Sequence, residues 1–257
     1  MNFKEYLTVF KNIIDKEVEG WFYPIDIIMF YAILKNIQPT KKVEGDICEI
    51  GVAYGKSAVC LSQFKNDNDK FYLYDIFEDN IKQKAQENIS KFGSDLNLEF
   101  RIENTMDLNV DSISFDRPLR LLHIDGCHEH SAVLNDLTVF SEKMHRFGVI
   151  VLDDYNDYEY PGVNSAAAEY TLSKYNRNNW RIFAIGDNKA YLCRKEILLQ
   201  YQSAMIDSFI QFSPTVPFPL PMGVREMHDV NVLMCDSRNG IDNNTIKQKL
   251  LEKPTIS

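Results

Sequence analysis

The sequence is poor in cysteine, and the few it has are dispersed. Five stand far apart (Cys48, Cys60, Cys127, Cys193, Cys235), an odd number with no CxxC pair. This spacing argues against a disulfide framework and against a structural zinc site, and fits reduced thiols in a cytoplasmic protein. Long apolar runs are missing too. None approaches the roughly 20 residues of a membrane-spanning helix. The opening MNFKEYLTVFKNIIDKEVEG mixes charge into its apolar pattern and has no signal-peptide core. Positive charge is outnumbered, with 28 Lys and Arg against 37 Asp and Glu and a formal net charge of −9. Such a surface repels a phosphate backbone, so nucleic acid is not the expected partner. Three ligand or nucleophile signatures are also absent. Gly51 and Gly55 are one residue too close for a GxxxxGK[ST] loop, Ala53 and Lys56 stand where GxGxxG needs glycine, and no GxSxG occurs.

The chain of 257 residues, 45% hydrophobic and 25% charged, is long enough for one large domain with an appendage. Apolar positions recur at helical spacing through Tyr6, Phe10, Ile13 and Ile14, and again from Ile25 to Leu34, with a Gly- and Pro-punctuated loop between. Beyond Lys41 short apolar runs alternate with amphipathic ones. DICEIGV, FYLYDIF, LEFRI, LRLLHIDG and GVIVLDDY read as strands, most of them followed by a helix. WRIFAIG and KAYLCRK read as a closing hairpin across Gly186-Asp187-Asn188. Strand–helix repeats with nearly continuous apolar strands imply a parallel sheet covered on both faces. The expected fold is α/β, a Rossmann-like sheet of seven strands, divided as N-terminal helices (1–40), a ligand-binding domain (41–195) and a C-terminal extension (196–257). In that extension 196–210 reads as a helix, SPTVPFPLPMG can continue neither helix nor central strand, and VNVLMCD reads as a further strand. The extension would serve as a cap or an oligomer contact.

Two constellations carry chemistry. Glu49-Ile50-Gly51-Val52-Ala53-Tyr54-Gly55-Lys56-Ser57 lies where the first strand gives way to a helix, the place where glycine lets backbone turn sharply and approach a ligand. An acid opens this turn (Glu49), and another ends the next strand (Asp75), where a carboxylate can accept two ribose hydroxyls. Asp75 by itself suits a nicotinamide cofactor equally well. The second constellation is the pair of strand ends IDGCHEH and LDDY. Neighbouring parallel strands lie about 4.8 Å apart, so Asp125, Asp153 and Asp154 can converge. Three such carboxylates repel unless a cation neutralises them. Oxygen ligands suit Mg²⁺, Mn²⁺ or Ca²⁺ better than zinc. Capping of the following helices is the plainer use of these acids.

The stretch GDICEIGVAYGKSAVCLS resembles the first motif of class I S-adenosylmethionine (SAM)-dependent methyltransferases. With IDGCHEH and DDY it resembles the macrocin-O-methyltransferase-like group of metal-dependent sugar O-methyltransferases, over roughly residues 43–194. In that group the loop takes an EIGvxxGxS form, and IDGxHxY with a DDY-type pair marks the metal site. The resemblance implies a class I methyltransferase fold. It implies SAM held by Glu49, Gly51, Ala53, Tyr54, Gly55, Ser57, Asp75, Ile76, Phe77, Asn104, Thr105 and Asp125. It implies Mg²⁺ or Mn²⁺ on Asp125, Asp153 and Asp154, with His128 as general base beside Asp125. His130 departs from the pattern, standing where an aromatic is frequent. The implied partner is a small hydroxyl acceptor, a sugar or nucleotide-linked sugar of a capsule or surface polysaccharide. An NAD(P)-dependent oxidoreductase and a non-catalytic small-molecule binder are the alternatives.

Overall fold

DICEI is buried along its whole length, as a strand covered on both faces must be. It is β1 (Asp46–Ile50), an interior strand third from one edge of the sheet. The structure is a computed structural model that describes residues 2–78, 80–174, 176, 178–216 and 222–235. Around β1 stand β2 (Phe71–Asp75), β3 (Leu98–Ile102), β4 (Leu119–Ile124) and β5 (Met144–Leu152), with β6 (Trp180–Gly186) and β7 (Lys189–Arg194) beyond them. The order across the sheet is β3-β2-β1-β4-β5-β7-β6-β9-β8. β1 to β5 are parallel, and β7 alone in that part runs antiparallel, between β5 and β6. Strand order reverses between β1 and β4, so a crevice for ligands opens at their carboxyl ends.

Helices fill the crossovers as the periodicity implies. They are α3 (Lys56–Phe64), α4 (Ile81–Phe92), α5 (His130–Phe140) and α6 (Pro161–Leu172), preceded by α1 (Phe3–Val9) and α2 (Pro24–Tyr31) and followed by α7 (Leu198–Phe212). Pro24 opens α2, where its missing N–H costs nothing. α1 and α2 each run on into a π-helical stretch, Phe10–Ile14 and Ala32–Ile37. The N-terminal helices do not stand apart. Phe3 stacks on Phe212 of α7 at 4.1 Å, and Phe30 of α2 meets the His123 ring edge-on at 5.6 Å.

The sheet has nine strands among the described residues, two more than the seven expected. β8 (Gly223–Met227) and β9 (Val230–Cys235) form a hairpin, and β9 lies parallel to β6 with Ala184 opposite Leu233. Its turn, His228-Asp229, is left-handed at both residues (φ 47° and 65°) without glycine or asparagine, so the usual signal of a tight hairpin is missing. Residues 217–221 of the Pro-rich segment and the polar residues 236–257 lie outside the described residues.

Candidate active site

The register β1–β4–β5 sets Ile50, Ile124 and Leu152 side by side, so the residues that follow emerge at one level. Asp125 donates its N–H to Ile50 O (2.7 Å) and Asp153 donates to Ile124 O (2.9 Å). Gly51 and Gly55 both have positive φ (84° and 82°), and Ala53 between them is also left-handed at 44°. Gly51 is tight against the neighbouring strand end: a Cβ there would lie 1.8 Å from Asp125 O.

Asp75 holds this turn in place. Its Oδ2 accepts the N–H groups of Val52 (2.8 Å) and Ala53 (2.9 Å), and its Oδ1 accepts that of Phe77 (2.8 Å). A carboxylate on three backbone donors still has acceptor capacity left. Phe77 is left-handed (φ 46°) and nearly buried, its ring 5.7 Å from Phe100, while Ile76 is exposed at 58%. Such a conformation costs about 1–3 kcal/mol for a bulky residue and is met mostly at functional loops. Ala53 and Asn104 are exposed, and Tyr54 and Thr105 half-buried. Asn104 Oδ1 accepts from Met106 N (3.1 Å), capping a short turn after β3. Ser57 is buried in the first turn of α3. Lys56, also buried, reaches Asp15 (2.9 Å) and Gly20 O (2.7 Å), tying the N-terminal segment to the glycine turn. Glu49 differs from the expectation: it is fully buried, its Oε1 is 2.8 Å from His123 Nδ1, and it presents no surface to a ligand.

The three expected metal carboxylates divide into two settings. His128 Nε2 lies 3.6 Å from Asp125 Oδ1 and 3.3 Å from Asp154 Oδ2. One donor atom each from Asp125, His128 and Asp154 falls within 4.8 Å of the others, and the same holds for Asp125 with His123 and Asp153. Asp153, however, is bonded through Oδ2 to the buried ammonium of Lys189. Asp154 is left-handed (φ 54°), and its Oδ1 accepts from Asn188 Nδ2 at 3.0 Å. Burial, added to the charge of Asp153, raises the Asp125 carboxyl to about 7. Burial opposes ionisation of Asp153 too, but Lys189 and His123 hold it well below the usual carboxylate range. His128 is raised by Asp125 and, against the pull of desolvation, by Asp154.

His128 is clamped from outside. The Tyr160 ring lies 4.2 Å away, and a Cβ on Gly162 would stand 2.4 Å from His128 O. His130 does not join it: its nitrogens face Ser165 (2.8 Å) and Glu169 (3.0 Å), so the HxH pair forms no common ligand set. Tyr155 is buried and Tyr158 exposed at 88%. Asp229, in the β8–β9 turn, binds Arg181 and Lys195 at the opening of β6, the other end of that strand from the Gly186–Lys189 turn.

Sequence reasoning gave no role to Lys189, Asn188, His123 or Asp26. One signal was available, namely a lysine opening an otherwise apolar strand directly after the hairpin turn.

The β3-β2-β1-β4-β5-β7-β6 order, with the glycine turn at its switch point, is the fold of the methyltransferases that this chain is similar to. Residues 48–155 match the family model described as a methyltransferase domain. The chain is 25% identical over 181 residues to uncharacterized protein R132 of Acanthamoeba polyphaga mimivirus, covering 62% of this chain and 76% of that one. Cofactor-bound Rv0187 from MTB superposes with a TM-score of 0.55 at 14% identity, over 74% of this chain and 89% of that one. The O-methyltransferase NovP does so at 0.50 and 19%, over 68% and 83%. CalS11, a TDP-rhamnose 3'-O-methyltransferase of calicheamicin biosynthesis, does so at 0.50 and 13%, over 74% and 90%. These likenesses concern the fold. No described helix is long and apolar enough to cross a membrane.

Proposed function

We propose that this chain transfers a methyl group from SAM to a hydroxyl, with a divalent cation, Mg²⁺ or Mn²⁺, beside the acceptor oxygen. The convergence of Asp125, Asp154 and His128 next to the Gly51 turn carries this reading. The residues suit such an ion. The buried His128 Nε2 has no hydrogen-bond partner, and the Asn188 amide that donates to Asp154 leaves its own buried Oδ1 unpartnered. Two carboxylates and an amide oxygen are donors for a hard cation, and the imidazole beside them keeps its lone pair for a proton. When bound, the ion would lower the pKa of an acceptor hydroxyl and fix its lone pair.

The chain's own residues supply the rest. Val52 and Ala53 N–H, bound to Asp75, shape the turn that would hold the adenosyl group, and the remaining lone pairs of Asp75 suit the ribose hydroxyls. His128 Nε2 takes the acceptor proton. The oxygen forms a bond to the methyl carbon as the carbon–sulfur bond breaks, and its electron pair leaves with S-adenosylhomocysteine. No protein nucleophile is needed, because the sulfonium methyl is already activated. Holding oxygen, carbon and sulfur in line contributes about 7–11 kcal/mol. The acceptor we propose is a sugar hydroxyl, on a nucleotide-linked sugar destined for a surface polysaccharide. The motif resemblance and the sugar O-methyltransferase CalS11 among the structural relatives support it. We keep the division at 1–40, 41–195 and 196–257, within a cytoplasmic protein.

A thermal-shift panel of SAM, S-adenosylhomocysteine, NAD⁺ and NADP⁺, with and without Mn²⁺, tests the cofactor. Transfer of labelled methyl from SAM to a series of nucleotide sugars, with EDTA and with Mn²⁺ restored, tests the rest. The expected result is stabilisation by the adenosyl ligands alone and transfer that stops in EDTA. Full transfer in EDTA would refute the cation, and stabilisation by a nicotinamide cofactor alone would refute the whole reading.

A further inference from the structure

Behind the site runs a line of buried ionisable groups that the reaction above does not use. Glu49 of β1 meets His123 of β4 at 2.8 Å, and His123 Nε2 lies 3.7 Å from Asp153 Oδ2 after β5. Asp153 Oδ2 is bonded to Lys189 Nζ, which lies 3.9 Å from Asp26 Oδ2 in α2. Lys189 is 1% exposed and Asp26 and Glu49 are fully buried. Charges this deep persist only where each has a partner. Five elements that are distant in sequence thus meet through one ammonium.

Lys189 changes what Asp153 can do. Each oxygen of Asp153 already accepts one bond, Oδ2 from the Lys189 ammonium and Oδ1 from the N–H of Asp154 at 2.9 Å. Asp125 and Asp154 have no Lys or Arg partner among the described residues; they face His128, and Asp154 also faces the Asn188 amide. A divalent ion that drew on Asp153 would share that carboxylate with a buried ammonium, two like charges in a medium that screens poorly.

We propose that Lys189 is a positioning residue that reserves Asp153, keeping this carboxylate out of the cation's shell and leaving the seat to Asp125 and Asp154, with His128 beside them as the base. The inference rests on the cation-dependent reading above. It departs from the expectation that Asp153 and Asp154 act as twin ligands. Asp26 makes the N-terminal helix part of the same arrangement, since it is the second anion against Lys189.

Mn²⁺ binding to the full chain, measured by electron paramagnetic resonance and calorimetry in the presence of S-adenosylhomocysteine, tests this without reference to turnover. Asp154→Asn trades a charged ligand for a neutral amide oxygen and weakens Mn²⁺ binding by at least about tenfold, the smaller end of what even outer-shell losses cost a metal site. Asp153→Asn leaves Mn²⁺ affinity close to that of the parent. Lys189→Met frees Asp153 to join the ion: Mn²⁺ binds more tightly, and the variant's melting temperature, lowered in EDTA, recovers when Mn²⁺ is added. A purely structural lysine would lower stability without tightening Mn²⁺ binding. If Lys189→Met does not fold, Asp153→Asn decides, because equal damage from Asp153→Asn and Asp154→Asn overturns the proposal. So does an unchanged Mn²⁺ affinity in a folded Lys189→Met. Mn²⁺ binding by Lys189→Met but not by the parent chain would sink the cation-dependent reading and uphold the role of Lys189. Binding by neither would sink both.

Discussion

Gly51 and Asp125 touch through backbone: the space a Cβ on Gly51 needs is already filled by the Asp125 carbonyl, 1.8 Å from where that carbon would stand. The turn assigned to the cofactor and the carboxylate assigned to the acceptor are therefore one mechanical unit. Any shift of the glycine turn moves the strand end that carries Asp125, and the two sites keep a fixed separation without help from a mobile loop.

Gly51→Ala tests that unit. The substitution meets both a positive φ of 84° and a backbone clash, and neither can relax by rotating a side chain. The expected outcome is loss of S-adenosylhomocysteine binding by calorimetry, with stability lower by several kcal/mol in urea unfolding, the range of strain at a special backbone position. A variant that binds the ligand normally would show that the close approach has no bearing on the site.

Asp75→Asn separates shaping of the turn from folding. The carboxylate accepts three backbone N–H groups, and an amide can accept on one oxygen only. A hydrogen bond to a charged group contributes about 1.5–3 kcal/mol. Adenosyl affinity should fall by about 10–100-fold, while circular dichroism stays that of the parent. An unchanged affinity would remove Asp75 from the cofactor site.

His128→Gln addresses the proton. Glutamine keeps a polar group near Asp125 and Asp154 but takes no proton near neutral pH. General-base catalysis accounts for about 10²–10⁴ in rate. Single-turnover methyl transfer should slow by that factor, with S-adenosylhomocysteine affinity unchanged. An undiminished rate would assign the proton to solvent or to another residue.

How much of this was legible in the sequence follows from where the signals lie. Glu49 to Ser57 is a local pattern at a strand–helix boundary, and α3 begins within it, at Lys56. Asp125 and Asp153 stand one residue past apolar strands, and the parallel register alone brings them level. The line Asp26–Lys189–Asp153–His123–Glu49 left no such trace. Its members are separated by tens of residues, each looks ordinary in its own segment, and only the position of β7 beside β5 brings them together. Asp154 drew the same expectation as Asp153 because they are adjacent, yet its left-handed backbone sends it to His128 and Asn188. β9 reads as the strand VNVLMCD, but its partner β8 escaped for a different reason, a turn of histidine and aspartate in conformations that normally call for glycine or asparagine.

Asp136 provides a pH test away from the reacting groups. It lies in α5 at 1% exposure, with Oδ1 unpartnered. Burial raises its carboxyl from 3.8 to about 7, and a hydrogen bond with Thr105, in the loop after β3, offsets only part of this. Because the folded-state value is above the ordinary one, the protonated form favours the fold. Below about pH 4 both states hold the proton and Asp136 imposes no penalty. The penalty grows as pH rises from there to about 7 and is constant above. Its upper bound, at 1.36 kcal/mol per unit, is on the order of 4 kcal/mol. Asp136→Asn removes the ionisation and keeps the shape, so it should melt higher than the parent at pH 8 and converge with it near pH 4. Each kcal/mol recovered raises the midpoint by about 2–4 °C in a chain of this size. Equal midpoints at pH 8 would mean that water or a local shift already solvates the ionised carboxylate. The packing of α5 against the Thr105 turn would then be looser than the structure describes.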